Sequence, residues 1–212
     1  TLTDCFEYDE KTYNYYGSYS FTGTKIEQAV VTAILNVTTD DKVVVDMIKG
    51  NNEQDSSSLK TLLENNAYQV NEVSLATGDF DSNAKIAIMY APSVDLDEKI
   101  VEKLSTWLSN DGKYGRSLIY VPTADMGEMP NLDDFLKEWG MSIDRGYVFE
   151  TDESTLVSAS SPYAFTVSYG DYYKDNLKNS KIPVVVSESH AVNITDENTA
   201  HALLKTSDKA GV

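Results

Sequence analysis

The sequence predicts an α/β fold built on a mostly parallel sheet, and three observations support this prediction. Short apolar runs occur at 43–48, 86–90 and 117–121, each followed within two residues by a glycine or a proline. Between the runs lie segments with apolar residues at three- and four-residue steps, the period of an amphipathic helix. Strands that alternate with helices pair in parallel, so a layered α/β sandwich is expected.

Residues 1–23 precede this alternation and are predicted to form an extended N-terminal arm. They are rich in Tyr, Asp, Glu and Gly, and the residue types favour an extended segment over a helix. Four tyrosines crowd together here and could stack on sugars or pack on the domain surface: Tyr13, Tyr15, Tyr16 and Tyr19. Because the chain starts at Thr1 without a signal peptide, it is expected to be a fragment of a longer protein.

Residues 24–150 are predicted to form the α/β core, and its first helix starts near Thr24. Apolar residues then recur at helical spacing up to Val37, and Glu27 lies three residues after Thr24, which predicts a capping box. The run 43–48 is rich in β-branched residues and suits a strand that is buried on both faces.

The remaining core elements follow in alternation. A helix is predicted at 56–66 with Leu59, Leu62 and Leu63 facing inward. The other predicted elements are strands at 68–75, 86–90 and 117–121 and helices at 97–110 and 131–139. Trp107 and Trp139 lie on the apolar faces of the last two helices, so both are predicted to pack against the sheet.

Residues 151–212 are predicted to be a β-rich C-terminal part of the same domain. The sequence there changes to short β-prone pieces between Ser, Asp and Asn clusters. Strands are predicted at 166–169, 184–187 and 191–194.

Composition excludes several classes of function. The chain has 34 acidic and 17 basic residues, a formal charge of −17, so a nucleic acid is not expected as a partner. Its single cysteine, Cys5, excludes an internal disulfide and a cysteine-cluster metal site. The two histidines, His190 and His201, lack His or Cys partners at metal-ligand spacing. No cofactor is therefore expected.

The loop after the first core strand is the predicted binding site, because α/β sheets bind ligands beyond the carboxyl ends of their strands. Gly50 permits a sharp turn, and the serines that follow could cap a helix whose free amides attract polar groups. The candidate residues are Gly50, Asn51, Asn52, Glu53, Ser56 and Ser57. The loop lacks the glycine spacing of a phosphate loop, and a polar turn with a helix cap remains the alternative.

Catalytic motifs are weak in this sequence. There is no Gly-x-Ser-x-Gly motif, and Cys5 is distant in sequence from any predicted strand-to-helix turn. His190 is interpreted as a residue at the end of a loop. The run Asp79 to Asn83 resembles part of a calcium loop, but the terminal Glu of such a loop is missing. The protein is therefore predicted not to be an enzyme.

Six segments along the chain have motifs in a characteristic order: 27–38, 43–53, 86–96, 108–113, 130–141 and 203–210. They include Glu27-Gln28-Ala29-Val30 of the first helix, the strand and turn from Ile86 through Pro92 to Asp95, and Asn131-Leu132. In this order the segments resemble a known family, the ABC-transporter auxiliary domain of the gliding-motility type. Within 43–53, Gly50 and Glu53 match the family's Gly-His-Gly-Glu, whereas Asn51 and Asn52 replace His-Gly.

The resemblance implies a flavodoxin-like three-layer sandwich, similar to class I glutamine amidotransferases without their catalytic cysteine. It also implies a membrane-anchored component of an ABC transport system, on the extracytoplasmic face of a bacterial cell membrane. The anchoring segments would lie outside this fragment, and the partners would be ABC permease and ATPase subunits. A neutral polar ligand such as a sugar is a further expectation. A carbohydrate-binding module and a degenerate hydrolase remain alternatives.

Overall fold

The computed structural model describes residues 5–9, 17–18, 20–123, 125–175, 177–179 and 181–212. The four predicted surface tyrosines, Tyr13, Tyr15, Tyr16 and Tyr19, lie outside the described residues. The chain divides into two compact units. The first comprises Thr1–Ile48, Asp55–Ile88 and Leu108–Ile119, and the second Lys49–Gln54, Met89–Trp107 and Tyr120–Val212.

The first unit begins with an antiparallel pair of strands. Strand β1 (Phe6–Asp9) pairs with β2 (Ser20–Thr24), and the Phe6 and Phe21 rings meet edge to face with centroids 5.9 Å apart. Helix α1 (Ile26–Thr38) follows directly. The predicted capping box is wrong, because Thr24 is the last residue of β2, Lys25 occupies the N-cap, and no side chain caps the helix.

Four of the strands form a parallel sheet, as the alternation of strands and helices predicts. Its order is β4 (Gln69–Val73), β3 (Val44–Ile48), β5 (Ala84–Tyr90) and β6 (Ser117–Val121). Strand β3 runs parallel to both β4 and β5, and all five of its residues are buried. The β-branched run therefore forms a strand buried on both faces, as predicted. The last residues of β5 and β6 belong to the second unit.

The predicted core helices are present with small shifts at their ends. They are α2 (Ser57–Asn65), α3 (Glu98–Ser109) and α4 (Pro130–Glu138), and α3 continues into a short 3₁₀ turn. Leu62, predicted to face inward, is 53 % exposed. Among the described residues, no helix is long and apolar enough to cross a lipid bilayer.

The two tryptophans differ in their environment. Trp107 lies on α3 and is buried, and its packing against the sheet stays a prediction. Trp139 is the C-cap of α4 and is half-buried, and the centroid of its ring is 6.3 Å from that of Phe135.

Pro130 occupies the first turn of α4, where its missing N–H costs no helical hydrogen bond.

The second unit contains antiparallel strands, so the predicted β-rich C-terminal part is confirmed. Strand β9 (Ser161–Tyr169) pairs with β8 (Leu156–Ser158), β10 (Val184–Ser187) and β12 (Leu204–Lys205). Strand β7 (Met141–Tyr147) pairs with β11 (His190–Ile194). A short helix, α5 (Asp171–Lys174), follows β9. The sequence did not predict β7, because Asp144, Arg145 and Gly146 interrupt its apolar alternation.

Candidate functional site

The loop after β3 forms a tight turn in the second unit, and its backbone geometry depends on Gly50. Gly50 has φ of 118°, in the region that favours glycine, so the predicted sharp turn at this position is present. Asn52 has φ of 54°, which asparagine tolerates better than most residues. Asn51 between them does not have a positive φ.

Glu53 folds back onto its own loop. One carboxylate oxygen accepts a hydrogen bond from the backbone N–H of Gly50, and the other accepts one from the N–H of Asn51, both at 3.0 Å. The predicted binding role of this loop would need free backbone N–H groups for a ligand. Instead the Glu53 carboxylate itself occupies two of these amides.

Asn51 anchors the turn to the segment after β5. It is 6 % exposed, and its carbonyl oxygen accepts hydrogen bonds from the N–H groups of Ser93 and Val94, both at 3.1 Å. The Ser93 hydroxyl donates to the Asn52 carbonyl and accepts from the Asn52 side-chain amide. The Asn51 side-chain nitrogen is buried without a hydrogen-bond partner in the described part of the chain.

Gln54 completes the connection to the ends of β5 and β6. Its N–H donates to the Ala91 carbonyl at 3.2 Å, and its side-chain amide donates to the Thr123 hydroxyl at 3.0 Å. Ala91 in turn donates its N–H to the Val121 carbonyl. Residues 49–54 with Ala91, Ser93, Val94 and Thr123 are named the loop cluster below.

Ser56 and Ser57 belong to the first unit and have other roles than predicted. Ser56 is buried at the N-cap of α2, but its side chain makes no capping hydrogen bond. The Asp55 carboxylate instead accepts hydrogen bonds from both the N–H and the hydroxyl of Ser57. The predicted serine cap is therefore wrong, because Asp55 supplies a charged acceptor two residues before the amide it binds. The structure brings Gly50, Asn51, Asn52 and Glu53 together in the loop cluster.

Asp95 fixes the start of α4, a role that sequence analysis did not assign. Its carboxylate accepts hydrogen bonds from the N–H groups of Leu96, Asn131 and Leu132, at 2.9 to 3.1 Å. The Asn131 side chain also donates to the Leu96 carbonyl. Two of these donors are free N–H groups in the first turn of α4, where a carboxylate is favourable.

His190 lies between two backbone carbonyls. Its Nδ1 is 3.1 Å from the carbonyl oxygen of Gly146, and its Nε2 is 3.0 Å from that of Thr123. The ring stacks on Tyr147 with centroids 5.2 Å apart. His190 is the first residue of β11, close to the predicted position at the end of a loop. Sequence reasoning missed these contacts because the two partners lie 44 and 67 residues away, beyond the reach of any local pattern.

An ion pair between Arg145 and Asp133 lies near Tyr120 of β6. The Arg145 guanidinium pairs with the Asp133 carboxylate and also contacts the Met126 sulfur at 3.7 Å. Burial raises the pKa of Tyr120 to about 12, while the Arg145 charge lowers this pKa and the Asp133 charge raises it. The Tyr120 hydroxyl is buried and has no hydrogen-bond partner in the described part of the chain. It therefore stays protonated at neutral pH.

The described residues contain no group of three His, Cys, Asp or Glu side chains arranged to hold a metal ion. In the segment compared with a calcium loop, one oxygen of Asp81 accepts the N–H of Asn83, and the N–H of Asp81 donates to Asp46. Asp46 is fully buried and also accepts a hydrogen bond from the Asn71 side chain. These contacts give the segment a structural role next to β3.

Comparison with known proteins places the fold but not the function. No family model and no curated protein matches the chain. The structure is similar to a solved chain described as the mmIFT52 N-terminal domain, at a TM-score of 0.59 and 14 % sequence identity. The match covers 79 % of this chain and 74 % of the other. At this identity the similarity shows only that the two chains share a mixed α/β fold.

Proposed function

We propose that this protein is a noncatalytic, extracytoplasmic domain of a membrane-anchored ABC transport system component. Its partners would be the permease and ATPase subunits of that system. The fold would be a flavodoxin-like three-layer sandwich, and the loop cluster would be the surface that a partner loop or a neutral polar ligand contacts.

The geometry of the loop cluster carries the noncatalytic part of this proposal. A general base or nucleophile needs free lone pairs directed at a substrate. Glu53 uses both carboxylate oxygens on the amides of its own loop, and both nitrogens of His190 contact carbonyl oxygens. Glu53 therefore holds the backbone of its own loop, and the His190 ring lies against two backbone carbonyls.

The ordered resemblance supports the transport part of the proposal. Asp95 belongs to one of the resembling segments and Asn131 to another, and the structure joins them through a hydrogen bond from the Asn131 N–H to the Asp95 carboxylate. A requirement to cap α4 gives a physical reason for these two residue types to occur together. The two motifs are therefore consistent with a single structural constraint.

The exposed part of the loop cluster suits binding more than chemistry. Asn52 and Ser93 are exposed and uncharged, and Val94 beside them is 54 % exposed. Polar amide and hydroxyl groups around one apolar side chain resemble the mixed surfaces of transient protein contacts. A partner loop with basic residues would in addition be attracted by the charge of −17 on this chain.

Affinity capture from solubilised membranes of the source cell tests the proposal. The whole chain, immobilised, should enrich an ABC permease and its ATPase over an unrelated acidic domain. The Val94→Arg variant should lose this enrichment, since it adds a long cation to the proposed surface. Val157→Arg is the matched control, because Val157 is 56 % exposed and lies on β8, outside the loop cluster.

Two results would contradict the proposal. One is the absence of ABC subunits from the captured proteins, or equal enrichment by the Val94→Arg and Val157→Arg variants and the parent chain. The other is turnover of an amide, ester or glycoside substrate that a single substitution in the loop cluster abolishes. The second result would instead support the degenerate hydrolase that the sequence left open.

A further inference from the structure

The second unit contains a cavity that the loop cluster does not use. It has a volume of about 620 Å³, within the range of roughly 300 to 1,000 Å³ that is typical of small-molecule sites. Strands β9, β10 and β11 line it together with residues from 202 to 212. None of the residues predicted from the sequence as a binding site contributes to its wall.

Apolar groups form somewhat more than half of the wall of this cavity. Phe165 is fully buried, whereas Val192 is 57 % exposed and Leu204 is 39 % exposed. The main apolar lining residues are Val148, Phe165, Val167, Val186, Val192 and Leu204. Because apolar side chains here remain in contact with water, an apolar ligand that covered them would gain free energy by displacing that water.

Three polar side chains in the wall donate hydrogen bonds within the fold. The Ser189 hydroxyl donates to the Ser187 carbonyl, and the Ser207 hydroxyl donates to the Glu150 carboxylate at 2.9 Å. The side-chain amide of Asn193 donates to Asp144. A ligand rich in acceptors, such as a sugar or an anion, would find few donors here and would lose its hydration without replacement.

The charged residues of the wall also favour an uncharged ligand. Of the charged lining residues, Lys205 pairs with Asp171 at 3.4 Å, and Asp208 is exposed. By contrast, a cavity of about 730 Å³ in the first unit includes Asp40, Asp41 and Arg116 among its charged lining residues. Of these two cavities, the cavity of the second unit is the better suited to an uncharged ligand.

We propose that the cavity of the second unit binds an uncharged, predominantly apolar small molecule. The ligand would contact the valines and Phe165 of the wall. It could donate a hydrogen bond to the remaining lone pairs of the serine hydroxyls, since these oxygens can still accept. This site is separate from the loop cluster, and its existence does not depend on the proposed transport function.

Two fluorescent probes with one ring system test the proposal on the whole chain. Phenylnaphthylamine is uncharged, and its sulfonated analogue, anilinonaphthalenesulfonate, carries one negative charge. The uncharged probe should bind saturably and at least about tenfold more tightly, which corresponds to about 1.4 kcal/mol. Equal affinity for the two probes, or no saturable binding of the uncharged probe, would overturn the proposal.

A matched pair of valine variants locates the binding. Val192→Lys places a charge at the apolar mouth and should weaken the uncharged probe about tenfold or more. Val185→Lys is the control, because Val185 is 54 % exposed on β10 and does not line the cavity. It should change the affinity by less than about twofold. Equal loss in both variants, with both folded by circular dichroism, would refute this location.

Two further measurements keep the test decisive. Ala191→Phe fills the cavity from its wall and should abolish probe binding while the melting temperature stays near that of the parent. If Val192→Lys does not fold, this variant alone decides the location. Light scattering of the probe-free chain tests a different occupant. Self-association that Val192→Lys abolishes would assign the apolar mouth to a second copy and overturn the small-molecule proposal.

Discussion

Replacement of Glu53 tests whether its carboxylate holds the loop after β3. Glu53→Ala removes both acceptors and leaves the N–H groups of Gly50 and Asn51 without their partner. A hydrogen bond to a charged group contributes about 1.5 to 3 kcal/mol. Because Glu53 is half-buried, water can replace part of the stabilisation that its two hydrogen bonds provide. We therefore expect the free energy of unfolding to fall by about 2 kcal/mol.

Urea denaturation followed by tryptophan fluorescence measures this change in the relevant unit, because Trp107 and Trp139 both belong to the second unit. The melting temperature should fall by about 4 to 8 °C for a chain of this size. Glu53→Gln keeps one acceptor oxygen, so its loss of stability should be about half as large. The loss should not depend on any ligand.

A matched control separates this effect from the loss of any acidic side chain. Glu102 is exposed on α3 in the same unit, and Glu102→Ala should change stability by less than about 0.5 kcal/mol. If Glu53→Ala unfolds at the same urea concentration as Glu102→Ala, the carboxylate does not hold the loop. Glu53 would then be free for the partner role that the sequence suggested.

Four other substitutions have defined outcomes. Gly50→Val should reduce the free energy of unfolding by about 1 to 3 kcal/mol in urea titrations, and more than Gly50→Ala, because φ is 118° there. Asp95→Ala should cost about 2 to 4 kcal/mol by the same assay, since three N–H groups lose one acceptor. Trp107→Ala should cost about 3 to 5 kcal/mol by circular dichroism, and a parent-like melting curve would contradict its burial. Burial opposes ionisation of Glu150, but the hydrogen bonds to its carboxylate outweigh the effect of burial and lower its pKa from 4.5. The ionised carboxylate therefore stabilises the fold above that pH, and this stabilisation is lost as the pH falls through the lowered pKa. Glu150→Gln should therefore flatten the loss of melting temperature between about pH 5 and pH 3.

The strands predicted from the sequence are those whose signal is local. The strands at 117–121 and 184–187 match β6 and β10 residue for residue, because each is a short apolar or β-branched run. Strand β7 was not predicted, since its central residues are polar and its pairing partner β11 lies more than 40 residues away. A strand with Asp144 and Arg145 in its centre is recognisable only through that pairing.

The same distinction applies to the candidate site. The φ of Gly50 follows from the position of a glycine at the end of a buried strand, so the turn could be predicted. The return of Glu53 onto the turn accompanies positive φ angles at Gly50 and Asn52, on either side of Asn51, and residue types alone do not determine this geometry. The cavity of the second unit is formed by strands and by residues near 210, which no sequence window contains together.

The use of carboxylates in this fold bears on how its acidic composition should be interpreted. Glu53, Asp95 and Asp46 each accept hydrogen bonds from backbone N–H groups next to the ends of core strands or at the start of a helix. Glu150, which is buried, accepts the N–H groups of Thr151 and Asp152. Each of these hydrogen bonds uses a lone pair of the carboxylate to hold a backbone N–H group in place. In a chain with 34 acidic residues, the proximity of two carboxylates in the sequence is therefore a poor guide to a catalytic site, because these carboxylates serve the backbone.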